Sequence, residues 1–268
     1  MCLIVISFNP STELKLLALA NRDEFYERPS LQAHFWKDQE GVLAGRDEQA
    51  GGTWFGVHAS GRFAAVTNYR EPGVVVEGAL SRGNLVSDFL NGDQSAGAYM
   101  KTIELNADRY NGFNLLAFDT ENLFYFSNRS GAPPSRLPKG TYGLSNHLLD
   151  TPWPKVVKLK KRFGEACDKA KNADEIWSNS SFLDLITDES VAKDIDLPET
   201  GVPLDWERTL SAMLIKSEQY GTRCSTMVSV TKSNQIRFAE KTIHPTNIGQ
   251  PLVQFEIQPT IGHPHSHL

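Results

Sequence analysis

A chain of 268 residues that is 40% hydrophobic and 22% charged has the composition of a folded globular protein, which excludes disorder as its main character. The formal net charge of −5, with no dense run of Lys and Arg among aromatic residues, argues against nucleic acid as a partner. No stretch approaches 18 consecutive apolar residues and no secretory signal pattern opens the chain, so we expect a cytoplasmic protein without a transmembrane segment.

The first third of the chain is predicted to form β-strands. The apolar runs Cys2–Phe8 and Leu14–Ala20 are separated by a turn signal, which predicts a β-hairpin. A second hairpin is predicted over Thr53–His58 and Arg62–Thr67, because Ser and Gly join two runs of strand character.

Helices are predicted between further strand pairs. Helical periodicity covers Gly83–Leu90 and Ala96–Leu105, and a strand pair follows over Phe113–Phe118 and Leu123–Phe126. Three helices and three closing strands complete the chain: Trp153–Lys169, Glu175–Ile186 and Leu204–Lys216, then Ser225–Thr231, Ile236–Ile243 and Leu252–Ile257. Hairpins outnumber βαβ crossovers, which favours an α+β protein with mostly antiparallel sheets covered by helices.

Nothing in the sequence divides the chain into parts. We find neither an internal repeat nor a low-complexity linker, so residues 1–268 are predicted to form a single domain. The tail 262–268 carries alternating histidines and is expected to be disordered. No metal site is predicted there, since terminal segments are usually mobile and no acidic residue lies near in sequence.

Cys2 is the most informative residue of the sequence. Removal of Met1 would leave a thiol and a free α-amine on one residue, at the start of an apolar strand. An α-amine has a pKa of about 7.7 to 8.0, so its neutral fraction could take the proton of the thiol. The alternative is an inert buried cysteine of the first strand. Cys167 and Cys224 are interpreted as core cysteines, because three widely spaced cysteines match neither a disulfide framework nor a zinc site.

Four polar residues, Asn21 to Glu24, directly follow the second apolar run. If the first two strands pair, these side chains lie beside Cys2. Arg22 would then stabilise a thiolate, and Asp23 would accept a hydrogen bond from the α-ammonium. The alternative is a polar turn that ends a strand with a surface ion pair.

An ordered series of motifs runs along the chain: Met1-Cys2, Ala20–Pro29, Gly51–Gly56, Thr67–Arg70, Tyr110–Leu115, Gly140–Asn146 and Tyr220–Arg223. This series resembles the NRDE family, the transport and Golgi organisation 2 homolog group. The resemblance extends to about Glu256.

This resemblance implies an N-terminal-nucleophile hydrolase architecture, an αββα sandwich of two mostly antiparallel sheets between helix layers. It implies Cys2 as the nucleophile and Asp23 as the partner of the α-amine. Asn68 and Asn146 become candidate oxyanion or orienting amides, and Arg223 a candidate charge partner. Side-chain amides and a fixed guanidinium are what acyl transfer requires around a developing oxyanion. Each asparagine could equally be a turn residue that closes its strand.

Two functions of different classes follow from the resemblance. The first is non-covalent haem binding and haem trafficking with a role in lipid homeostasis, in which haem donor or acceptor proteins are the partners. No C-x-x-C-H motif is present, and the candidate haem ligands are Cys2, His58 and His147, although single histidines are more often structural. The alternative is a cysteine amidohydrolase that acts on non-peptide C–N bonds through a Cys2 thioester, or a protein that binds acyl-CoA or lipid. Neither a metal ion nor a nucleotide is expected.

Overall fold

Thirteen strands form two antiparallel sheets in residues 2–170, 172–178, 181–244 and 252–258, the part of the chain that the computed structural model describes. The first sheet has the order β10 (Gly140–Leu144), β1 (Cys2–Phe8), β2 (Leu14–Phe25), β11 (Tyr220–Thr231), β12 (Ile236–Thr242) and β13 (Leu252–Ile257). The second has the order β3 (Ser30–Phe35), β4 (Val42–Asp47), β5 (Phe55–His58), β6 (Phe63–Asn68), β7 (Phe113–Phe118), β8 (Leu123–Ser127) and β9 (Ser135–Arg136). The predicted tail 262–268 lies outside the described residues.

Both faces of each central strand are buried, which explains why β1 is a continuous apolar run. Ile4, Ile6 and Phe8 pack between the two sheets. Leu3 and Val5, which point to the opposite face, pack against helices. Because side chains alternate along a strand, one strand of this kind supplies two hydrophobic cores.

Helices cover the outer face of each sheet. Apolar side chains of the first two helices pack on the second sheet, and those of the next three pack on the first. Their bounds are α1 (Asn84–Asn91), α2 (Ala96–Glu104), α3 (Pro154–Lys169), α4 (Ala173–Ser178), α5 (Ser181–Asp184) and, beside them, α6 (Leu204–Leu210). The resulting αββα sandwich confirms the predicted fold class. Within the described ranges, no helix is long and apolar enough to cross a membrane.

Four strands were not predicted: β3 and its neighbour β4 in the second sheet, and the edge strands β9 and β10. In the strand Ser30–Phe35 only Ala33 is buried, and Val42–Asp47 contains a glycine and two charged residues, so neither gives a clear apolar run. The predicted helix Glu175–Ile186 is instead two short helices. The predicted helix Leu204–Lys216 ends at Leu210, because the Asp188 carbonyl accepts the backbone N–H groups of the segment that follows.

The second strand continues beyond its apolar part and carries the polar residues 21–24 into the sheet. Asn21 is fully buried, and its Nδ2 donates to the carbonyls of Ile186 and Met213 at 3.0 and 2.9 Å. The hydroxyl of Ser225 donates to its Oδ1 at 2.6 Å. Because every polar atom of the Asn21 side chain is engaged, this residue fastens the helical layer to the sheet. The polar segment is therefore part of the sheet and not a surface turn.

Candidate active site

Cys2 and Arg22 lie directly opposite one another at one end of the first sheet. They are register partners of β1 and β2, so their side chains point to the same face, the one between the two sheets. Both are buried, with exposed fractions of 7% and 5%. The thiol is thus held beside a guanidinium at the end of a rigid strand.

A cavity of about 320 Å³ opens at this end of the sheets. Its lining combines the predicted residues with others from the second sheet and from the loop before α1. It is formed by Cys2, Arg22, Asp23, Glu24, Arg28, Asp47, Ala50, Thr53, Trp54, Val66, Asn68, Ala79, Leu80, Ser81, Arg82, Gly83 and Asn111. The cavity is large enough for a small ligand, at the lower end of the range for ligand sites.

The guanidinium of Arg22 is fixed by three neighbours. Its Nη1 donates to Ser30 Oγ at 3.2 Å, and its Nη2 lies 3.6 Å from Asp47 Oδ2. The group also lies over the ring of Trp54, 4.1 Å from the centroid. Burial raises the pKa of the Cys2 thiol, and the positive charge of Arg22 acts in the opposite direction. Arg22 therefore favours the thiolate at a position where burial disfavours it.

Asp23 lies on the opposite face of β2 from Arg22, at the end of the sheet where the backbone nitrogen of Cys2 lies. Its carboxylate is fully buried and accepts a hydrogen bond from Thr222 Oγ1 at 2.7 Å. Burial raises the pKa of Asp23, and the positive charge of Lys155 lowers it.

Lys155 is the buried cation that faces Asp23. Its Nζ donates to the Leu210 carbonyl at 2.8 Å, and burial lowers the pKa of its ammonium to about 8. A buried aspartate near a buried lysine keeps its charge more easily than one that is buried alone. This arrangement allows the Asp23 carboxylate to hold a cationic group, such as an α-ammonium, at the start of β1.

The two predicted asparagines have different positions. Asn68 ends β6 and lines the cavity, and no hydrogen bond of its side chain occurs within the described residues. Asn146 is fully buried, and its Nδ2 donates to the Asn68 carbonyl at 3.0 Å. The Ser145 hydroxyl beside it donates to the Cys2 carbonyl at 3.2 Å. Asn68 can therefore donate into the cavity, whereas Asn146 positions Asn68.

Arg223 lies outside the Cys2 cavity. A register shift between Thr222 and Cys224 changes the direction of the strand there. The Arg223 Nη1 donates to the carbonyls of Phe25 and Arg28, at 2.8 and 2.9 Å. This side chain lines a neighbouring cavity of about 210 Å³, which the Arg22 and Trp54 side chains also line. The structure thus brings together Cys2, Arg22, Asp23 and Asn68, while Asn146 and Arg223 support the surrounding backbone.

The candidate haem ligands are not brought together. His58 ends β5, four residues beyond the cavity residue Trp54, and its ring nitrogens contact Ser60 Oγ and the Glu40 carbonyl. The nitrogens of His147 contact the hydroxyls of Tyr69 and Thr151, both at 2.8 Å. Neither ring offers an unengaged nitrogen to the Cys2 cavity, so these residues do not fit an axial ligand set there. Among the described residues, no group of three His, Cys, Asp or Glu side chains could hold a metal ion.

Arg82 is a cavity residue that was not predicted from the sequence. It lies in the loop before α1, where no hydrophobic period or turn motif draws attention to a single arginine. Its burial lowers the pKa of its guanidinium, and the charges of Glu24 and Cys2 favour the charged form.

The titration of Cys2 is expected to depend on whether Met1 is present. With Met1 retained, burial raises the thiol pKa, so alkylation by iodoacetamide should accelerate only above the ordinary value of about 8.5. With Met1 removed, the α-amine can take the proton, and the inflection should move toward about 7.7 to 8.0. Peptide mapping of protein prepared with and without methionine aminopeptidase treatment measures both curves, with Cys224 as internal control. Identical curves for Cys2 would contradict the role of the amine.

Comparisons with known proteins agree with this arrangement of motifs. The family model described as Transport and Golgi organisation 2 matches residues 1–245. The Transport and Golgi organization protein 2 homolog of Homo sapiens is 34% identical over 262 residues, which cover 91% of this chain and 93% of the relative. The Drosophila melanogaster protein, Transport and Golgi organization protein 2, is 28% identical over 250 residues, which cover 85% and 86% of the two chains.

Two solved structures are more distantly similar. A Caenorhabditis elegans ortholog of N-acylethanolamine-hydrolyzing acid amidase has 9% identity and a TM-score of 0.47, over 85% of this chain and 92% of that one. A mutant conjugated bile acid hydrolase from Clostridium perfringens has 9% identity and a TM-score of 0.44, over the full length of both chains.

Proposed function

The chain belongs to the Transport and Golgi organisation 2 family, and from that premise we propose that it is an N-terminal cysteine amidohydrolase. One observation carries the proposal. The Cys2 thiol lies in a cavity, on the same face as its register partner Arg22, and Asp23 flanks the end of β1 where the α-amine would be created. A nucleophile, a cation that favours its ionised form and an anion for its base thus come from three positions of two paired strands.

The reaction begins after Met1 has been removed. The α-amine of Cys2 takes the thiol proton, and Sγ attacks the carbonyl carbon of the amide, which forms a C–S bond and an oxyanion. The oxyanion collapses, the C–N bond breaks, and the α-ammonium gives its proton to the leaving amine. Water then attacks the thioester and loses its proton to the α-amine, the C–S bond breaks, and the α-ammonium returns this proton to Sγ. The carboxylic acid leaves and the thiol is restored.

The surrounding residues supply positioning and charge. Asn68 lines the cavity with a side-chain amide that can donate to the oxyanion, and the carbonyl of this residue is held by Asn146 at 3.0 Å. Removal of one oxyanion donor typically costs about 10²-fold or more in rate. Arg22 is fixed by Ser30, Asp47 and Trp54, so its charge is pre-positioned beside Sγ. Because these side chains are already fixed before a substrate binds, the site favours catalysis over simple ligand storage.

The test is trapping of the thioester. Protein from which Met1 has been removed is incubated with N-acyl amides and quenched with acid. Its intact mass is then measured by mass spectrometry, and the released amine is quantified in parallel. We expect an acyl adduct on the N-terminal peptide that neutral hydroxylamine removes, together with release of the amine. A Cys224→Ala variant should form the same adduct, because this second buried thiol lines the neighbouring cavity. Absence of both the adduct and amine release would overturn the proposal.

Haem binding and acyl-CoA or lipid binding stay predictions of the family resemblance. A titration followed at the Soret band, on the unmodified protein and on Cys2→Ala, tests the first. Saturable binding that depends on Cys2 would favour a thiol ligand, and transfer to apo-myoglobin would favour trafficking. Weak binding without saturation would argue against a haem role.

A further inference from the structure

Arg82 differs from the other arginines of the Cys2 cavity in its partners. Arg28 Nε lies 2.6 Å from Asp47 Oδ2, and Arg22 Nη2 lies 3.6 Å from the same oxygen. Arg82 Nη1 donates only to a backbone carbonyl, that of Gly112, at 3.0 Å. Within the described part of the chain, no carboxylate approaches the Arg82 guanidinium within 4.0 Å. One cation that lines the cavity therefore has no carboxylate in ion-pair contact, and Glu24, which lines the same cavity, acts on it only through its charge.

Such an arrangement is costly unless something compensates it. The Arg82 guanidinium is mostly buried, and its burial lowers its pKa. Buried charges in folded proteins are generally paired, because transfer of an ion out of water is unfavourable. A guanidinium also has five N–H donors in a fixed fork, and one carbonyl uses only part of them. The unused donors match a carboxylate or a phosphate.

The loop that carries Arg82 is held in place on both sides. The Leu80 N–H donates to the Arg109 carbonyl at 2.9 Å, and the Thr53 N–H donates to the Gly83 carbonyl at 3.3 Å. Gly52 approaches this loop so closely that a Cβ there would lie 2.6 Å from the Gly83 carbonyl carbon. Because the backbone on each side of Arg82 is fixed, its charge is pre-positioned relative to the cavity.

We propose that Arg82 is a specificity residue that binds an anionic group, a carboxylate or a phosphate, on the substrate amide. The inference rests on the proposed amidohydrolase function and deepens it, since it names the substrate class as anionic amides. The guanidinium binds the anion, and the scissile carbonyl is thereby directed to Cys2 in the same cavity. The apolar side chains of Trp54, Val66 and Leu80 also line the cavity and suit the hydrocarbon part of the ligand.

The experiment compares matched ligands that differ in charge. Hexanoylglycine is paired with its neutral amide, hexanoylglycinamide, and N-hexanoyl phosphoethanolamine with N-hexanoylethanolamine. Dissociation constants are measured by calorimetry on the full chain with Cys2→Ala, so that no turnover occurs. We expect an anionic member to bind about tenfold to a hundredfold more tightly than its neutral partner. The pair with the larger ratio identifies carboxylate or phosphate as the source of the anion.

Variants of Arg82 test whether this residue creates the preference. In Arg82→Gln the affinity ratio should fall to about one, and Arg82→Lys should keep part of it, because a lysine retains the charge but not the planar fork. Arg136→Gln is the matched control, since Arg136 is exposed and lies in the short edge strand β9. A ratio near one in the protein with Arg82 intact overturns the inference even if a variant fails to fold. A ratio that Arg82→Gln leaves unchanged also overturns it.

Turnover by the protein with Cys2 intact separates this inference from the proposed function. If amides are hydrolysed with no preference for the anionic member, only the role of Arg82 is wrong. If the anionic ligands bind through Arg82 but no amide is hydrolysed and no thioester forms, the amidohydrolase function is wrong and the anion site stands.

Discussion

Replacement of Cys2 by alanine is expected to lower the rate of amide hydrolysis by about 10³-fold or more, because removal of a nucleophile leaves only binding and oxyanion stabilisation. The fold should persist. Cys2 begins a strand that is held on both sides by β2 and β10, and loss of one sulfur atom from such a site costs about 1 kcal/mol. Initial rates at saturating substrate, together with urea unfolding, measure the two effects.

Two matched variants distinguish a chemical role from packing. Cys2→Ser keeps the size and the α-amine but supplies a poorer nucleophile, so it should lose most of the activity. Cys224→Ala removes a buried thiol that is also a register partner of Arg22, on the other side of β2, and it should keep the wild-type rate within a few-fold. Equal turnover by Cys2→Ala and the unmodified protein would show that Cys2 is only a buried strand residue.

The sequence predicts most of the strands whose side chains are buried on both faces. The apolar run of β1 and the strands β5 to β8 were predicted because each carries a continuous hydrophobic signal. The strand β3 was missed because it lies at a sheet edge, where packing on one face leaves the other side chains exposed. Pairing with β4, which no local pattern reveals, gives β3 its structure.

In the candidate site, too, positions set by local strand pairing were predicted from the residues, and positions set by tertiary packing were not. Cys2, Arg22 and Asp23 were predicted because β1 and β2 pair as a hairpin, so that residues near in sequence meet at one end of it. The direction of the Arg223 side chain depends on a β-bulge. The position of Arg82 in the cavity lining depends on the packing of its loop against the β4–β5 connection. Both are tertiary properties. The Lys155 cation that faces Asp23 comes from α3, which in sequence reads only as an amphipathic helix with basic residues.

The Asp23→Asn substitution is expected to lower turnover by about 10²-fold, because Asp23 acts on the base that serves Cys2 and does not contact the substrate carbonyl itself. The asparagine keeps the shape of the side chain and can still accept a hydrogen bond from Thr222 Oγ1, now 2.7 Å from Asp23 Oδ1. Thr222→Val is the matched control, since it leaves the carboxylate and removes only the hydroxyl that donates to Asp23 and accepts from the Ile215 N–H. We expect it to lose less than about tenfold in rate. Similar losses of turnover rate in the two variants would show that the role of Asp23 is structural.

A second readout of Asp23→Asn is the pH dependence of stability, which follows the buried lysine. Burial lowers the pKa of Lys155 to about 8, whereas an unfolded lysine titrates near about 10.4. Between these values the unfolded chain binds more protons, so the contribution of Lys155 makes the free energy of unfolding rise with pH.

The Asp23 charge opposes the lowering of the Lys155 pKa, and loss of this charge should move the lysine pKa further down. In Asp23→Asn the rise in stability should therefore begin below about pH 8, and urea unfolding from about pH 6 to about pH 9 measures it. Coincident pH profiles for the two proteins would mean that Asp23 and Lys155 are not coupled, and that Asp23 is not held as a charged group at the start of β1.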